Sequence, residues 1–137
     1  MLTWVSRRHE TVDAAAEGPV DLAVALRWLG GDRELLRELV GIFMDDGPKR
    51  LEALREAMTA SDIQLLEQVA HSLKGSAAIL GASRLQESAL ALEEAAHDGR
   101  AENAVDLVAD IAREIERVFA FFADPAWPDR LKAEPAT

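Results

Sequence analysis

The sequence predicts an all-α fold: an antiparallel four-helix bundle with a short extra helix at its N-terminal end. Three observations predict it. Apolar residues recur at three- and four-residue steps along four long segments, the period of a helix with one buried face. Alanine supplies much of the 49% hydrophobic content, only 5% of residues are aromatic and tyrosine is absent, which favours closely packed helices over a sheet. Glycines and one Asp-Pro pair close the segments with short intervals between them, so consecutive helices turn back on one another. At 137 residues the chain is long enough for one core and short for two, and a single domain is expected.

Residues 1–19 read as an arm or linker, because no period is sustained before Gly18-Pro19. The bundle is expected over residues 20–123. It opens with the short amphipathic segment Asp21 to Leu29, which runs into Gly30-Gly31, where a left-handed glycine can end a helix. Asp32 starts a longer segment whose buried stripe is Leu36, Val40, Phe43, Leu51, Leu54 and Met58. Gly47-Pro48 interrupts it, giving either one kinked helix or two in succession. The unbroken phase of the stripe favours the kink.

Ser61 is the expected cap of the next helix, Asp62 to Leu80, with core positions Leu66, Val69, Leu73, Ala77 and Leu80, closed by Gly81. Ser83 and Gln86 match a capping box for the following helix, which buries Leu85, Ala89, Leu92 and Ala96 and ends at Gly99. The last helix is expected to bury Val105, Val108, Ala112, Ile115, Phe119 and Phe122 before Asp124-Pro125 stops it. Residues 124–137 are expected to be an irregular tail, from which Trp127 can pack back onto the bundle.

Composition excludes several functions. A formal charge of −10 disfavours nucleic acid, whose binding needs clustered lysine and arginine. Without cysteine there are no disulfides and no thiolate metal sites, as suits a cytoplasmic protein. No apolar run approaches the roughly 18 to 20 residues that span a bilayer, and the start lacks the order of a secretory signal, so no membrane insertion is expected.

The informative stretch is Ala70 to Ala82, AHSLKGSAAILGA. On a helical wheel with Leu66 at zero and about 100° per residue, Val69, Leu73, Ala77 and Leu80 fall within roughly 60° of zero. Gln64, Glu67, His71, Gly75 and Ala78 fall between about 100° and 180°, so His71 points away from the core. Lys74 lies one turn along on the flank of that face, where its ammonium can meet a phosphoryl oxygen carried by the imidazole. Gly75 leaves the position above His71 uncovered, although a glycine inside a helix costs about 1 kcal/mol relative to alanine. Close approach by a partner is the natural reason. A neutral imidazole offers one nucleophilic nitrogen provided the other donates its proton, and Glu93 on the next helix is the candidate acceptor.

These residues carry a resemblance. His71-Ser72-Leu73-Lys74-Gly75-Ser76-Ala77, then Leu80-Gly81 and Leu92-Glu93, with Leu29-Gly30-Gly31-Asp32 leading to Phe43 upstream, resemble the histidine phosphotransfer (HPt) domain family from about Asp21 to Phe122. The resemblance implies a kinked four-helix bundle with extra N-terminal helical structure. It further implies a phosphohistidine at His71, a phosphate-facing Lys74, a small residue at Gly75 and a hydrogen-bonding Glu93. The expected reaction is reversible phosphoryl transfer between His71 Nε2 and an aspartate of a response-regulator receiver domain in a two-component phosphorelay. The receiver supplies the Mg2+, the chain has no cofactor of its own, and the other expected partner is a sensor or hybrid histidine kinase. Docking is expected on Gln64, Glu67, Gln68, Gly75 and Ala78, beside the short first helix, with the protein a monomer. No nucleotide-binding motif is present, so the chain is expected to be a phosphocarrier and not a kinase. The competing reading is a phosphorylation-independent helical adaptor that docks receiver or kinase domains. No metal site is expected, because His9 sits in the arm and His97 at a helix end, neither at metal-site spacing from His71.

Overall fold

The computed structural model describes residues 18–100 and 102–133, with the side chains of 132 and 133 left aside. Most of the expected arm, His9 included, and the last four residues lie outside the described residues. The described residues form α1 (Leu22–Trp28), α2 (Arg33–Ala60), α3 (Ile63–Ile79), α4 (Ser83–His97), α5 (Ala104–Ala123) and a closing 3-10 helix (Trp127–Ala133). Helices α2 to α5 pack in chain order and α5 returns to α2, which closes the bundle. Their short connections make successive helices antiparallel. Among the described residues no helix is long and apolar enough to cross a membrane.

Helix α2 is continuous through Pro48, as the unbroken stripe requires. Gly47 is buried there because a Cβ would stand 2.9 Å from the Phe119 ring. Its absence lets Phe119 of α5 reach α2 and meet Phe43 edge to face at 5.8 Å. The core is built from Leu36, Leu54, Leu73, Leu85, Leu92 and Ile111, each exposed by at most 1%. Burying a leucine of this kind stabilises by about 1.5–3 kcal/mol.

Helix ends depart from the expectation in two places. Ser61 does not cap α3; it ends α2 in the left-handed region at φ 55°. Asp62 is the N-cap, accepting the Leu65 N–H at 3.0 Å. Ser83 and Gln86 form no capping box either: Ala82 occupies the N-cap and no side chain caps α4. Ala82 is fully buried and Gly81 before it, at φ 72°, presses on the backbone of Asp21, where a Cβ would come within 2.2 Å of the carbonyl oxygen. Asp21 N–H donates to the Gly81 carbonyl at 2.8 Å. That backbone contact ties the start of α1 to the end of α3.

Two further corrections concern the C-terminal region. Val105 is 68% exposed, and the stripe of α5 is Ala104, Val108, Ile111, Ile115, Val118 and Phe122, with Ala112 and Phe119 half-buried. The segment after Pro125 is not irregular throughout. Asp124 accepts the Ala126 N–H at 2.9 Å, starting a turn that places Trp127 and Leu131 in the core. Trp127 meets Phe122 edge to face at 5.0 Å, and Arg33 at the start of α2 donates to the Leu131 carbonyl at 3.1 Å. Trp127 therefore packs back onto the bundle.

Candidate functional site

Helix α3 buries Leu66, Ala70, Leu73 and Ala77, with Val69 only half-buried. That stripe turns His71 outward, and its side chain is 68% exposed. Helix α4 buries Leu85, Ala89, Leu92 and Ala96 against it, which places Glu93 at the margin of the α3–α4 seam with its side chain 17% exposed. From there Glu93 bridges two residues of α3. His71 Nδ1 lies 2.7 Å from Oε2, and Lys74 Nζ lies 2.7 Å from Oε1. The Lys74 ammonium above all, with the His71 ring, holds the Glu93 carboxyl below the usual carboxylate range, against an opposing push from burial.

The bridge fixes the chemistry of the ring. An ionised carboxylate only accepts, so Nδ1 carries the proton and donates it to Glu93. In the neutral ring, Nε2 then holds the free lone pair and faces solvent. A methyl group built on Gly75, one turn along, would meet no atom within 4 Å. Among the described residues nothing requires a glycine there, and the space is open to an approaching molecule. Gln64, Gln68 and Gly75 are exposed, while Glu67 and Ala78 are half-buried.

Two features beside this face were not read from the sequence. An apolar cleft between α2 and α3 is lined by Leu39, Ile42, Phe43, Ile79 and Leu80, with Asp46, Arg50 and Ser76 on its polar side. Ile42 and Ile79 are exposed despite being apolar, at 55% and 38%. Both lie off the core stripes of their helices, and that is the signal by which the cleft could have been found. Arg50 donates to the hydroxyl of Ser72, the residue after His71. The second feature is another carboxylate–imidazole pair across α3 and α4: His97 Nδ1 lies 2.9 Å from Glu67 Oε2. Glu67 and His71 share a Glu-x-x-x-His spacing with Glu93 and His97, and antiparallel packing pairs each glutamate with the other helix's histidine. Among the described residues no group of three or more histidines and carboxylates converges as a metal site.

Comparison with known proteins places this geometry. The structure is similar to the crystal structure of histidine-containing phosphotransfer protein B (HptB) from Pseudomonas aeruginosa PAO1, with a TM-score of 0.72 and 27% identity, covering 85% of this chain and 97% of that one. Among curated proteins the sequence finds no match. The Hpt domain family matches residues 38–121, a span that holds α3, α4, the outward histidine, its lysine and the bridging glutamate. That match spans more than half of the chain, and with the similar fold it shows that the chain belongs to the Hpt domain family and has a histidine phosphotransfer role in phosphorelays.

Proposed function

We propose that His71 is the phosphocarrier residue and that it exchanges its phosphoryl group reversibly with an aspartate of a receiver domain. The observation that supports this most strongly is the Glu93 bridge beside the open position at Gly75. In the accepting direction the Nε2 lone pair attacks phosphorus in line, the P–O bond to the receiver aspartate breaks, and the aspartate leaves as a carboxylate. The Nδ1 proton stays on the ring, which becomes a phosphoimidazolium. Its positive charge then faces the Glu93 carboxylate, and Lys74 is close enough to exchange Glu93 for a phosphoryl oxygen. The reverse step uses the same contacts. The receiver contributes the aspartate and the magnesium ion, which neutralises charge on the transferring group.

Docking uses Gln64, Glu67, Gln68, Gly75 and Ala78, together with the adjoining apolar cleft, where Ile42 and Ile79 offer exposed hydrophobic area. Arg50, at the cleft near Asp46 and bonded to Ser72, forms no ion pair among the described residues and suits the acidic rim of a receiver site. His71→Gln tests the reading: the variant keeps its helicity and accepts no phosphoryl group from a phosphorylated receiver. Full transfer by that variant contradicts the assignment. Partner binding unchanged in His71→Ala, with no phosphohistidine in the wild type, identifies the domain as an adaptor instead.

A further inference from the structure

The Glu67–His97 pair is not used by the transfer step, yet it sits one turn from it. Glu67 precedes His71 by four residues on the same face of α3, a spacing at which side chains are neighbours. Left to itself, the Glu67 carboxylate is free to lean along α3 toward the imidazole. A phosphoryl dianion on Nε2 would then face a third negative charge. In the structure Glu67 is drawn the other way, across the seam to α4, where His97 Nδ1 meets it at 2.9 Å.

We propose that His97 is a positioning residue for the phosphohistidine: it holds the Glu67 carboxylate against α4 and away from the phosphoryl group on His71. This rests on the reading of His71 as the phosphocarrier and deepens it. His97 is suited to the task because Glu67, by hydrogen bond and by charge, raises its pKa above the usual 6.5, with Asp98 and Glu93 adding to the effect. The charged groups around it are Glu67 and Lys74 from α3, and Glu93, Glu94, Asp98 and Arg100 from α4 and the turn after it. Lys74 and Arg100 are already paired, to Glu93 and Asp98 respectively. His97, when protonated, is thus the cation that meets Glu67. As pH rises through the His97 titration, the imidazole loses its charge, its hold on Glu67 weakens and phosphohistidine becomes less favourable relative to the receiver aspartyl phosphate.

The test is the equilibrium partition of phosphoryl group between a receiver and the full chain, measured from pH 6 to 8.5. Docking defects change forward and reverse rates together and leave that partition unmoved, so it reads the phosphohistidine itself. At the low end of this range, His97→Gln lowers the phosphorylated fraction relative to receiver by about two- to fourfold, the scale of a like-charge contact at this spacing against a dianion. In a Glu67→Gln background the same His97→Gln change has no effect, and the wild-type decline with pH is lost. A partition unchanged in His97→Gln, or equally reduced with and without Glu67, overturns the proposal. Loss of all phosphohistidine in the wild type is a separate result, which removes the His71 reading on which the proposal rests. Circular dichroism checks folding of each variant.

Discussion

The two carboxylate–imidazole pairs on α3 and α4 are built from the same residue types, yet their charge is distributed differently. Glu93 is shared: it meets His71 through one oxygen and Lys74 through the other, and Lys74 above all lowers its pKa. Among the described residues Glu67 pairs with His97 alone, and it raises the pKa of that imidazole. A carboxylate shared with an ammonium divides its charge between two partners and still fixes the orientation of the ring beside it. A carboxylate without one pulls the ring toward the cation. The first arrangement suits a nucleophile, and the second suits a counter-ion. One lysine, placed three residues after His71, separates the two roles.

Removing the shared carboxylate is the strongest way to break this contrast. Glu93→Gln loses a charge-assisted hydrogen bond to the phosphoimidazolium, worth about 1.5–3 kcal/mol, so phosphotransfer in a rapid-mixing assay falls by about ten- to a hundredfold. Glu67→Gln produces no comparable loss. If both glutamates matter equally, the distinction between the pairs fails.

Lys74→Met is the next largest change. It removes the main cause of the low Glu93 pKa, so the Glu93 carboxyl carbon titrates at a higher pH by NMR. Phosphotransfer falls by about tenfold, the loss of one charge-assisted contact to a phosphoryl oxygen. A Glu93 titration unmoved by the substitution contradicts the sharing of its charge.

The stability effects are smaller, and they run in opposite directions with pH. With its folded pKa lowered, Glu93 contributes stability above its ordinary value of 4.5, and loses it as pH falls through the lowered value. With its folded pKa raised, His97 contributes below 6.5 and loses that contribution as pH rises through the raised value. Both pairs are near the surface, and His97 is 74% exposed, so solvent screening keeps the His97 contribution small. Urea denaturation of Glu93→Gln should differ from wild type at neutral pH and converge with it at the acidic end, whereas Glu67→Gln should differ just below pH 6.5 and converge with wild type as pH rises.

Gly75→Ala gives the smallest effect. It fills open space and removes the helix penalty of glycine, stabilising the fold by up to about 1 kcal/mol in denaturation while slowing transfer with a receiver. A destabilised Gly75→Ala protein would show that the glycine serves internal packing.

Much of the fold was legible because long helices announce themselves by period. The stripes of α2, α3 and α4 placed Leu36, Leu54, Leu66, Leu73, Leu85 and Leu92 in the core, where the structure has them. The turns were less legible, since their chemistry is set by tertiary contact. Nothing local to Ser83 announces that Gly81 is pressed against Asp21, and the identity of the α3 cap depends on Ser61 taking the left-handed conformation. On α5, Val105 and Ile111 are equally apolar, and only docking on the neighbouring helices decides that Ile111 is buried and Val105 is not. The tail gained order from two residues four apart, Trp127 and Leu131, of which only the first was noticed.

The site divides the same way. His71, Lys74 and Gly75 lie on one helix, so spacing alone relates them, and Glu93 needed only the assumption that the next helix packs alongside. The Glu67–His97 pair needed the register between α3 and α4, although the repeated Glu-x-x-x-His spacing was present as a signal. The apolar cleft needed the seam between α2 and α3, to which Ile42 and Ile79 contribute from positions outside either stripe.

The central claim is that Glu93 holds the Nδ1 proton and leaves Nε2 of His71 as the nucleophile. Phosphorylating the 15N-labelled chain with a phosphorylated receiver and locating the phosphoryl group by 31P–15N correlation tests it most directly. The expected product carries one acid-labile phosphoryl group, bonded to Nε2 of His71. A phosphoryl group on Nδ1, or on any other residue, contradicts it.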